Sequence, residues 1–230
     1  MIKIAPSILA ADPLNLERDI RTVVNAGCDW LHVDVMDAHF VPNLAYTPDL
    51  VRKLKATFEI PLDVHLMMDQ PEIYVPVFLD AGADILTIHA EAYENREESF
   101  SGQAESRLLE LLRLIQRNGA SAGIAIRPKT GLDAVLPLLE AADLVLTMTV
   151  EPGFGGQKLH PEVLEKITAL RKLGYRGEIE ADGGITEENL SLLTGAGLSV
   201  AVMGTAVFHS PFPKDTILRL RQKDADFHEE

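Results

Sequence analysis

Short apolar segments rich in β-branched residues alternate with longer segments of helical periodicity along nearly the whole chain, and this alternation constrains the fold most. The eight short segments predict strands at residues 2–8, 30–36, 61–67, 83–89, 121–126, 143–148, 177–181 and 199–203. The segments between and after them predict helices, among them 15–27, 106–120, 132–142 and 213–224. Strands that alternate strictly with helices pair in parallel as βαβ units. The pattern therefore predicts a parallel sheet of the α/β class.

Eight such units are the number that closes a (β/α)8 barrel, the TIM barrel. The alternative is an open doubly wound sheet. No GxGxxG sequence follows the first strand, which disfavours the dinucleotide-binding form of that alternative. The 230 residues contain no linker and no shift in composition that would mark a domain boundary. We therefore expect one (β/α)8 barrel domain that spans residues 1–230.

Charge and composition argue against several classes of partner. The formal net charge is −14, which disfavours nucleic acid, whose phosphates need a basic face. Neither a long apolar run nor a signal-peptide pattern is present, so no membrane interaction is expected. The single cysteine, Cys28, allows no internal disulfide and suits a reducing cytoplasm. A small phosphorylated ligand stays compatible with the charge, because backbone N–H groups bind phosphate without any lysine.

Polar residues occur inside segments that otherwise predict buried strands, where an unpartnered polar group is costly. The stretch WLHVDVMDAHF (30–40) places His32 and Asp34 two residues apart, so both side chains point to one face of the strand. Later strands carry similar residues, namely Asp63, His65, His89, Glu180 and Asp182. Barrel enzymes place catalytic side chains at the C-terminal ends of their strands. These residues therefore predict an active site at that end.

A divalent metal ion would account for part of this pattern. Two imidazoles and two carboxylates would satisfy one another around one ion, and the candidates are His32, Asp34, His65 and Asp182. A mixed nitrogen and oxygen set suits Zn, Fe(II), Mn or Co rather than Ca. The alternative is that the histidines are hydrogen-bonded core residues. For Asp37 and His39, which follow the strand, we expect local hydrogen bonds within the loop.

Glycine-rich segments follow the last three strands. EPGFGGQ (151–157) holds three glycines around one phenylalanine, which is more than a plain turn needs, and they let a ligand approach the backbone. The loops after strands seven and eight are the usual phosphate site of such barrels, and here they contribute Gly183, Gly184, Gly204 and Thr205. Helix N-termini would add positive potential there. Ser7, at the end of the first strand, would add a hydroxyl or cap the next helix.

Two further features have both a structural and a functional interpretation. Met36, Met67 and Met148 end three strands. They either fill the core or form an apolar floor under a substrate. The acidic connection at 91–106 is either a solvated loop or a cover over the site.

With these residues in place, the chain resembles the ribulose-phosphate 3-epimerase family. The segments that carry the resemblance lie in the family's order across about 200 residues. They are IAPSILAAD, HVDVMDAHFVPN, DVHLMM, MTVEPGFGGQK, EADGGI and VMGTAVF. The resemblance implies a (β/α)8 barrel isomerase of the pentose phosphate pathway. Such an enzyme interconverts D-ribulose 5-phosphate and D-xylulose 5-phosphate.

The resemblance also implies roles for individual residues. The family binds its metal through two histidines and two aspartates, which match His32, Asp34, His65 and Asp182, and the two aspartates are also the acid and base. Its substrate contacts match Ser7, His65, Gly153, Phe154, Gly155, Gly156, Gly183, Gly184, Gly204 and Thr205. Its methionines under the substrate match Met36, Met67 and Met148. Because the family forms dimers or hexamers, the resemblance implies a homo-oligomer.

The chain departs from the family's usual sequence beside the site. Ala38 stands where the family usually has Gly, and Tyr46-Thr47 replaces Ile-Gly before Pro48. These changes leave open a related epimerase that acts on D-allulose 6-phosphate with the same chemistry. Two competing functions are a non-catalytic barrel that binds sugar phosphates and a triose-phosphate-type isomerase. The chemistry of that isomerase runs on a glutamate and a histidine without metal.

Overall fold

The computed structural model describes residues 1–93 and 103–229. Its nine strands are β1 Lys3–Pro6, β2 Leu31–Asp37, β3 Leu44–Ala45, β4 Leu62–Met67, β5 Ile85–His89, β6 Ser121–Ile126, β7 Leu144–Met148, β8 Glu178–Asp182 and β9 Val200–Met203. Each of the eight predicted strands is confirmed, and β3 is an addition. Residues 94–102, the middle of the acidic connection at 91–106, lie outside the described residues. The covering role suggested for that connection therefore stays a prediction.

The sheet closes into a barrel. Its strand order is β1-β9-β8-β7-β6-β5-β4-β2, and every pair of neighbours in that series is parallel. The gap between β1 and β2 is closed by a parallel bridge from Ser7 to His32 and by the Asp29 N–H, which donates to the Ile4 carbonyl at 2.9 Å. The two-residue β3 pairs antiparallel with the end of β2. The predicted (β/α)8 architecture is confirmed.

The helices follow the predicted segments except at 132–142, and the four-residue α7, Thr205–Phe208, is an addition. They are α1 Leu16–Asn25, α2 Pro48–Thr57, α3 Pro71–Ala81, α4 Gln103–Arg117, α5 Val163–Lys172, α6 Leu190–Ala196, α7 Thr205–Phe208 and α8 Pro213–Glu229. The predicted helix at 132–142 is wrong, because the chain there forms two short 3₁₀ segments, Leu132–Ala134 and Leu136–Ala141. Pro137, which lacks an N–H, contributes to the difference, although α3 stays helical around Pro76.

Strand alternation separates two kinds of core. Residues such as Val33, Val35 and Leu66 point outward and join the large apolar cluster between the strands and the helices. The barrel interior holds a smaller apolar cluster that includes Leu144, Leu146 and Met148. Its polar members are buried as well, so the barrel carries charged groups where most cores have only apolar side chains. Within the described residues, no helix is both long and apolar enough to cross a bilayer.

Candidate active site

Strand register brings the predicted polar residues together. In the parallel pair of β2 and β4, His32 lies opposite Asp63 and Asp34 lies opposite His65. Asp182, the last residue of β8, lies opposite Met148 of β7. Asp34, His65 and Asp182 lie in the middle or at the C-terminal end of their strands, whereas His32 and Asp63 lie deeper in the barrel, at the second residue of theirs. The side chains therefore meet at the end of the barrel where the sequence places the active site.

The four predicted metal ligands form one histidine–aspartate cluster, made of His32, Asp34, His65 and Asp182. One potential ligand atom from each lies within 4.8 Å of the others. Asp34 Oδ1 is central, at 3.3 Å from His32 Nε2 and 3.4 Å from His65 Nδ1. Its other oxygen, Oδ2, accepts a hydrogen bond of 2.6 Å from the Ser7 hydroxyl. The arrangement resembles a coordination shell more than a set of paired core residues.

Two orphaned nitrogens test whether these residues fit a metal ion. His32 Nε2 and His65 Nδ1 are buried and have no hydrogen-bond partner among the described residues. Leaving a buried polar atom unpaired costs about 1–3 kcal/mol, so the pair of nitrogens needs an explanation. Both face the same carboxylate, and a cation between them would satisfy both. The donor set of two imidazoles and two carboxylates therefore fits a divalent metal ion.

A second carboxylate fixes the orientation of His32. Asp63 Oδ2 lies 2.5 Å from His32 Nδ1, and Glu180 Oε1 lies 3.7 Å from the same nitrogen. Because a carboxylate accepts, the proton of a neutral imidazole lies on Nδ1, and the lone pair of Nε2 faces the cluster. Burial and the charge of Asp63 raise the pKa of Glu180 well above its usual value. The sequence analysis marked Asp63 and Glu180 as unusual but assigned them no role.

The two aspartates of the cluster titrate in opposite directions. Burial raises the pKa of Asp34, but the facing imidazoles of His32 and His65 outweigh it, so the pKa is lowered. Burial and the negative charge of Asp34 raise the pKa of Asp182 to about 7. Near neutral pH, Asp34 is therefore ionised while Asp182 lies near the midpoint of its titration. Such a divergence is how a site obtains an acid and a base from the same residue type.

A cavity of about 990 Å³ opens above the cluster. Asp34 and Asp182 line it, while His32 and His65 are fully buried. The proposed apolar floor, Met36, Met67 and Met148, also lines it. So do the remaining predicted substrate contacts, which are Ser7, Gly153, Phe154, Gly155, Gly156, Gly183, Gly184, Gly204 and Thr205. The structure thus brings every predicted site residue to this cavity or directly beneath it.

The glycines after β8 are required by geometry. Gly183 and Gly184 have φ values of +116° and +64°, a region that L side chains rarely adopt. A Cβ at Gly184 would lie 2.4 Å from the backbone nitrogen of Leu159. Asn189, which the sequence analysis did not single out, holds this loop by donating to the Gly184 carbonyl at 2.9 Å. The signal for Asn189 was its position just before α6, where capping residues occur.

Asp37 has the local role expected of it. Its carboxylate accepts from the backbone N–H groups of His39 and Phe40 at 2.8 Å, and from that of Asp69 at 2.9 Å. These bonds hold the loop between β2 and β3 against the start of α3. Ala38 within this loop has a φ of +60°. The family's usual glycine would adopt that conformation without strain.

Comparison with known proteins agrees with this geometry. The model of the ribulose-phosphate 3 epimerase family matches residues 3–208. The chain belongs to this family. A ribulose-phosphate 3-epimerase of Schizosaccharomyces pombe is 43% identical over 222 residues, which cover 95% of this chain and 92% of that protein. A protein of Oryza sativa named ribulose-phosphate 3-epimerase, cytoplasmic isoform, is 40% identical over 223 residues, covering 96% of this chain and 93% of that protein.

Solved structures agree on the fold of this epimerase-family chain. The crystal structure of 3-hexulose-6-phosphate synthase from Salmonella typhimurium superposes with a TM-score of 0.73. The match covers 99% of this chain and 100% of that one at 17% sequence identity. At such low identity the likeness concerns the barrel alone. The chemistry is therefore argued from the cluster and the cavity.

Proposed function

We propose that this chain is an isomerase that interconverts D-ribulose 5-phosphate and D-xylulose 5-phosphate by moving a proton at C3. One observation carries the proposal. One cavity holds two carboxyl groups whose pKa values are shifted in opposite directions. The same cavity is lined by the glycine loops, residues 153–156, 183–184 and 204–205, whose backbone N–H groups suit a phosphate. The carboxyl groups supply acid–base chemistry, and the glycine loops bind the substrate. Membership in the epimerase family supports the same conclusion.

Inversion at C3 requires a base on one face of the carbon and an acid on the other. Asp34 lies in the middle of β2 and Asp182 ends β8, with β1 and β9 between them around the barrel. Asp34, the more acidic carboxyl, is the candidate base in one direction, and protonated Asp182 then delivers a proton to the opposite face. The reverse reaction exchanges the two roles. The Ser7 hydroxyl holds Asp34 in position through its hydrogen bond of 2.6 Å.

Removing the C3 proton beside a ketone produces an enediolate, whose charge needs stabilisation. General acid–base catalysis supplies about 10² to 10⁴-fold, and enzymes generally exceed about 10⁶-fold. A divalent cation in the histidine–aspartate cluster would supply positive charge near the developing oxyanion. His32, Asp34, His65 and Asp182 would hold it, and the candidates are Zn, Fe(II), Mn and Co.

The remaining lining residues bind and enclose the substrate in this proposal. The glycine loops offer backbone N–H groups to the phosphate, with Gly204 and Thr205 opening α7. Because α7 has only four residues, its macrodipole contributes little, and direct N–H contacts are the larger effect. The apolar floor excludes water beneath the carbon chain, which strengthens every electrostatic interaction at the cluster.

Proton NMR of D-ribulose 5-phosphate in D2O tests the proposal. We expect deuterium to appear at C3 together with D-xylulose 5-phosphate when the purified protein is supplied with a divalent metal. Absence of both exchange and product would contradict the assigned substrate. D-Allulose 6-phosphate would then be the next compound, and Ala38 and Thr47 would be the first residues to exchange. Exchange with neither sugar would favour a non-catalytic sugar-phosphate-binding barrel.

The proposal includes the setting of the enzyme. We propose a single domain that works in the cytoplasm as a homo-oligomer, a dimer or a hexamer. Support comes from the lone cysteine, which suits a reducing compartment, and from family membership. Light scattering coupled to size-exclusion chromatography measures the mass of the particle. A particle of 25.2 kDa, the mass of one chain, would contradict the oligomer.

A further inference from the structure

A chain of buried polar side chains leads away from His65 on the side opposite the cluster. His65 Nε2 lies 2.8 Å from His89 Nε2, and His89 Nδ1 lies 2.9 Å from Glu91 Oε2. The second carboxylate oxygen, Glu91 Oε1, accepts from the backbone N–H of Arg127 at 2.7 Å. His65 and His89 are fully buried, and Glu91 is 3% exposed. None of the functions proposed so far uses His89 or Glu91.

In this series of hydrogen bonds, the donor and the acceptor of each bond follow from the end at Glu91. Glu91 Oε1 receives the Arg127 N–H, and Glu91 Oε2 receives a proton from His89 Nδ1. Each oxygen of Glu91 thus faces an N–H donor, so the carboxylate only accepts. A neutral His89 protonated on Nδ1 has its lone pair on Nε2. His65 must then donate from Nε2, which leaves the lone pair of His65 on Nδ1.

We propose that Glu91 and His89 are positioning residues that hold His65 in the tautomer whose Nδ1 binds the metal ion. His65 Nδ1 is the buried nitrogen that has no hydrogen-bond partner among the described residues and lies 3.4 Å from Asp34 Oδ1. Partners of this kind fix ring orientation and ligand basicity in other metal sites. The inference rests on the proposed function, because it requires a metal ion in the histidine–aspartate cluster.

Packing around His89 supports a positioning role. The Phe40 ring lies against the imidazole of His89, with ring centroids 4.7 Å apart. The His65 ring is stacked on the same imidazole of His89, with ring centroids 5.0 Å apart. The Arg127 guanidinium lies over the Phe40 ring, 4.2 Å from its centroid. His89 is therefore held by ring contacts as well as by its two hydrogen bonds. It has little freedom to turn and offer His65 a different nitrogen.

Glu91→Gln breaks the chain with a minimal change in shape. A glutamine cannot accept from both the Arg127 N–H and the His89 N–H, because one of its two ends is a donor. One junction is therefore left with two facing donors, or His89 and His65 both change tautomer. His160 and Glu162 offer a matched control, since His160 Nδ1 and Glu162 Oε1 have the same i, i+2 spacing at an exposed site, 3.2 Å apart. Glu162→Gln makes the same chemical change there, but the glutamine carbonyl can still accept the single bond from His160.

The experiment titrates the full-length, metal-stripped proteins with Co²⁺ and with Zn²⁺ in a chelator competition. We expect Glu91→Gln to lower the affinity for both ions by about 10 to 100-fold, and Glu162→Gln to change it less than about twofold. His89→Phe, which keeps a ring but removes the acceptor, should resemble Glu91→Gln. Long-range ¹H–¹⁵N NMR of histidine-labelled protein should show His65 protonated on Nε2 in the wild type.

The outcomes separate this inference from the proposed function. Wild-type protein that binds ions while Glu91→Gln binds them equally well would overturn the positioning role alone. A wild-type His65 protonated on Nδ1 would also overturn it. A wild-type protein that binds neither ion would overturn the proposed metal site itself. Thermal unfolding of each variant without metal separates the two effects, since a purely structural role lowers stability and leaves the affinity of the folded protein unchanged.

Discussion

The histidine–aspartate cluster and the glycine loops face the same cavity but are built in opposite ways. The cluster is made of buried side chains on strands, and strand register fixes the distances between them. The glycine loops contribute backbone to the cavity lining, and four of their glycines, Gly153, Gly156, Gly183 and Gly184, have positive φ values. The difference separates two tasks. Charge chemistry needs groups that water cannot screen, whereas a phosphate needs N–H groups that no side chain covers.

Removal of divalent ions affects the whole histidine–aspartate cluster, and we expect it to lower turnover more than any of the changes below. Without a cation, the two unpaired imidazole nitrogens and the two carboxylates have no positive charge between them. Activity should therefore fall to the background rate. The measurement is turnover after dialysis against a chelator, followed by addition of Zn, Fe(II), Mn or Co one at a time. Full activity in a protein shown by elemental analysis to hold no metal would contradict the prediction.

Asp182→Asn removes one acid–base group and leaves the glycine loops untouched. We expect kcat to fall by about 10² to 10⁴-fold, the usual contribution of general acid–base catalysis. Because asparagine has nearly the same shape, thermal unfolding should change little. The measurement is kcat at saturating metal, with the metal content of the variant determined alongside. A variant that retains more than a tenth of wild-type turnover would contradict the scheme with two carboxyl groups.

Gly184→Ala probes the glycine loops in the same manner. The new Cβ would meet the Leu159 nitrogen at 2.4 Å, so the loop must move. We expect a rise in KM with kcat less affected, and a loss of about 1–3 kcal/mol in the free energy of unfolding from overpacking. Gly174→Ala is the matched control, because Gly174 does not line the cavity, its φ is +87° and its Cβ would meet nothing within 4 Å. Equal effects on KM from both variants would mean that backbone strain alone accounts for the loss.

The two regions also differ in how far the sequence could predict them. Short apolar segments that alternate with helical patterns predicted each barrel strand, and the polar residues within those strands predicted all four members of the cluster. Asp63 and Glu180 received no role because their partner, His32, lies on another strand, and register between strands is not encoded locally. Glu91 was missed since it lies just past β5, where the acidic sequence of the connection is also typical of a solvated loop.

The helix predicted at 132–142 failed for a different reason. Its apolar spacing is helical, but Pro137 removes a donor at the point where the second turn would form. Periodicity describes which face is buried and does not report whether every backbone bond can form. The same limit applies to β3, whose two residues are too few for any period to register.

We expect the smallest effect from Ala38→Gly, a change in the free energy of unfolding. It extends the comparison of the histidine–aspartate cluster with the glycine loops to the loop that follows β2. Ala38 follows the last residue of β2, and its φ of +60° is one that glycine adopts without strain. An alanine in that conformation costs about 1–2 kcal/mol, while a glycine adds flexibility to the unfolded chain worth about 0.4–1 kcal/mol. We therefore expect Ala38→Gly to raise the free energy of unfolding by about 0.5–1 kcal/mol, measured by urea denaturation. Lower stability would show that the strain at Ala38 is relieved by its neighbours, whose Asp37 bonds already hold the loop.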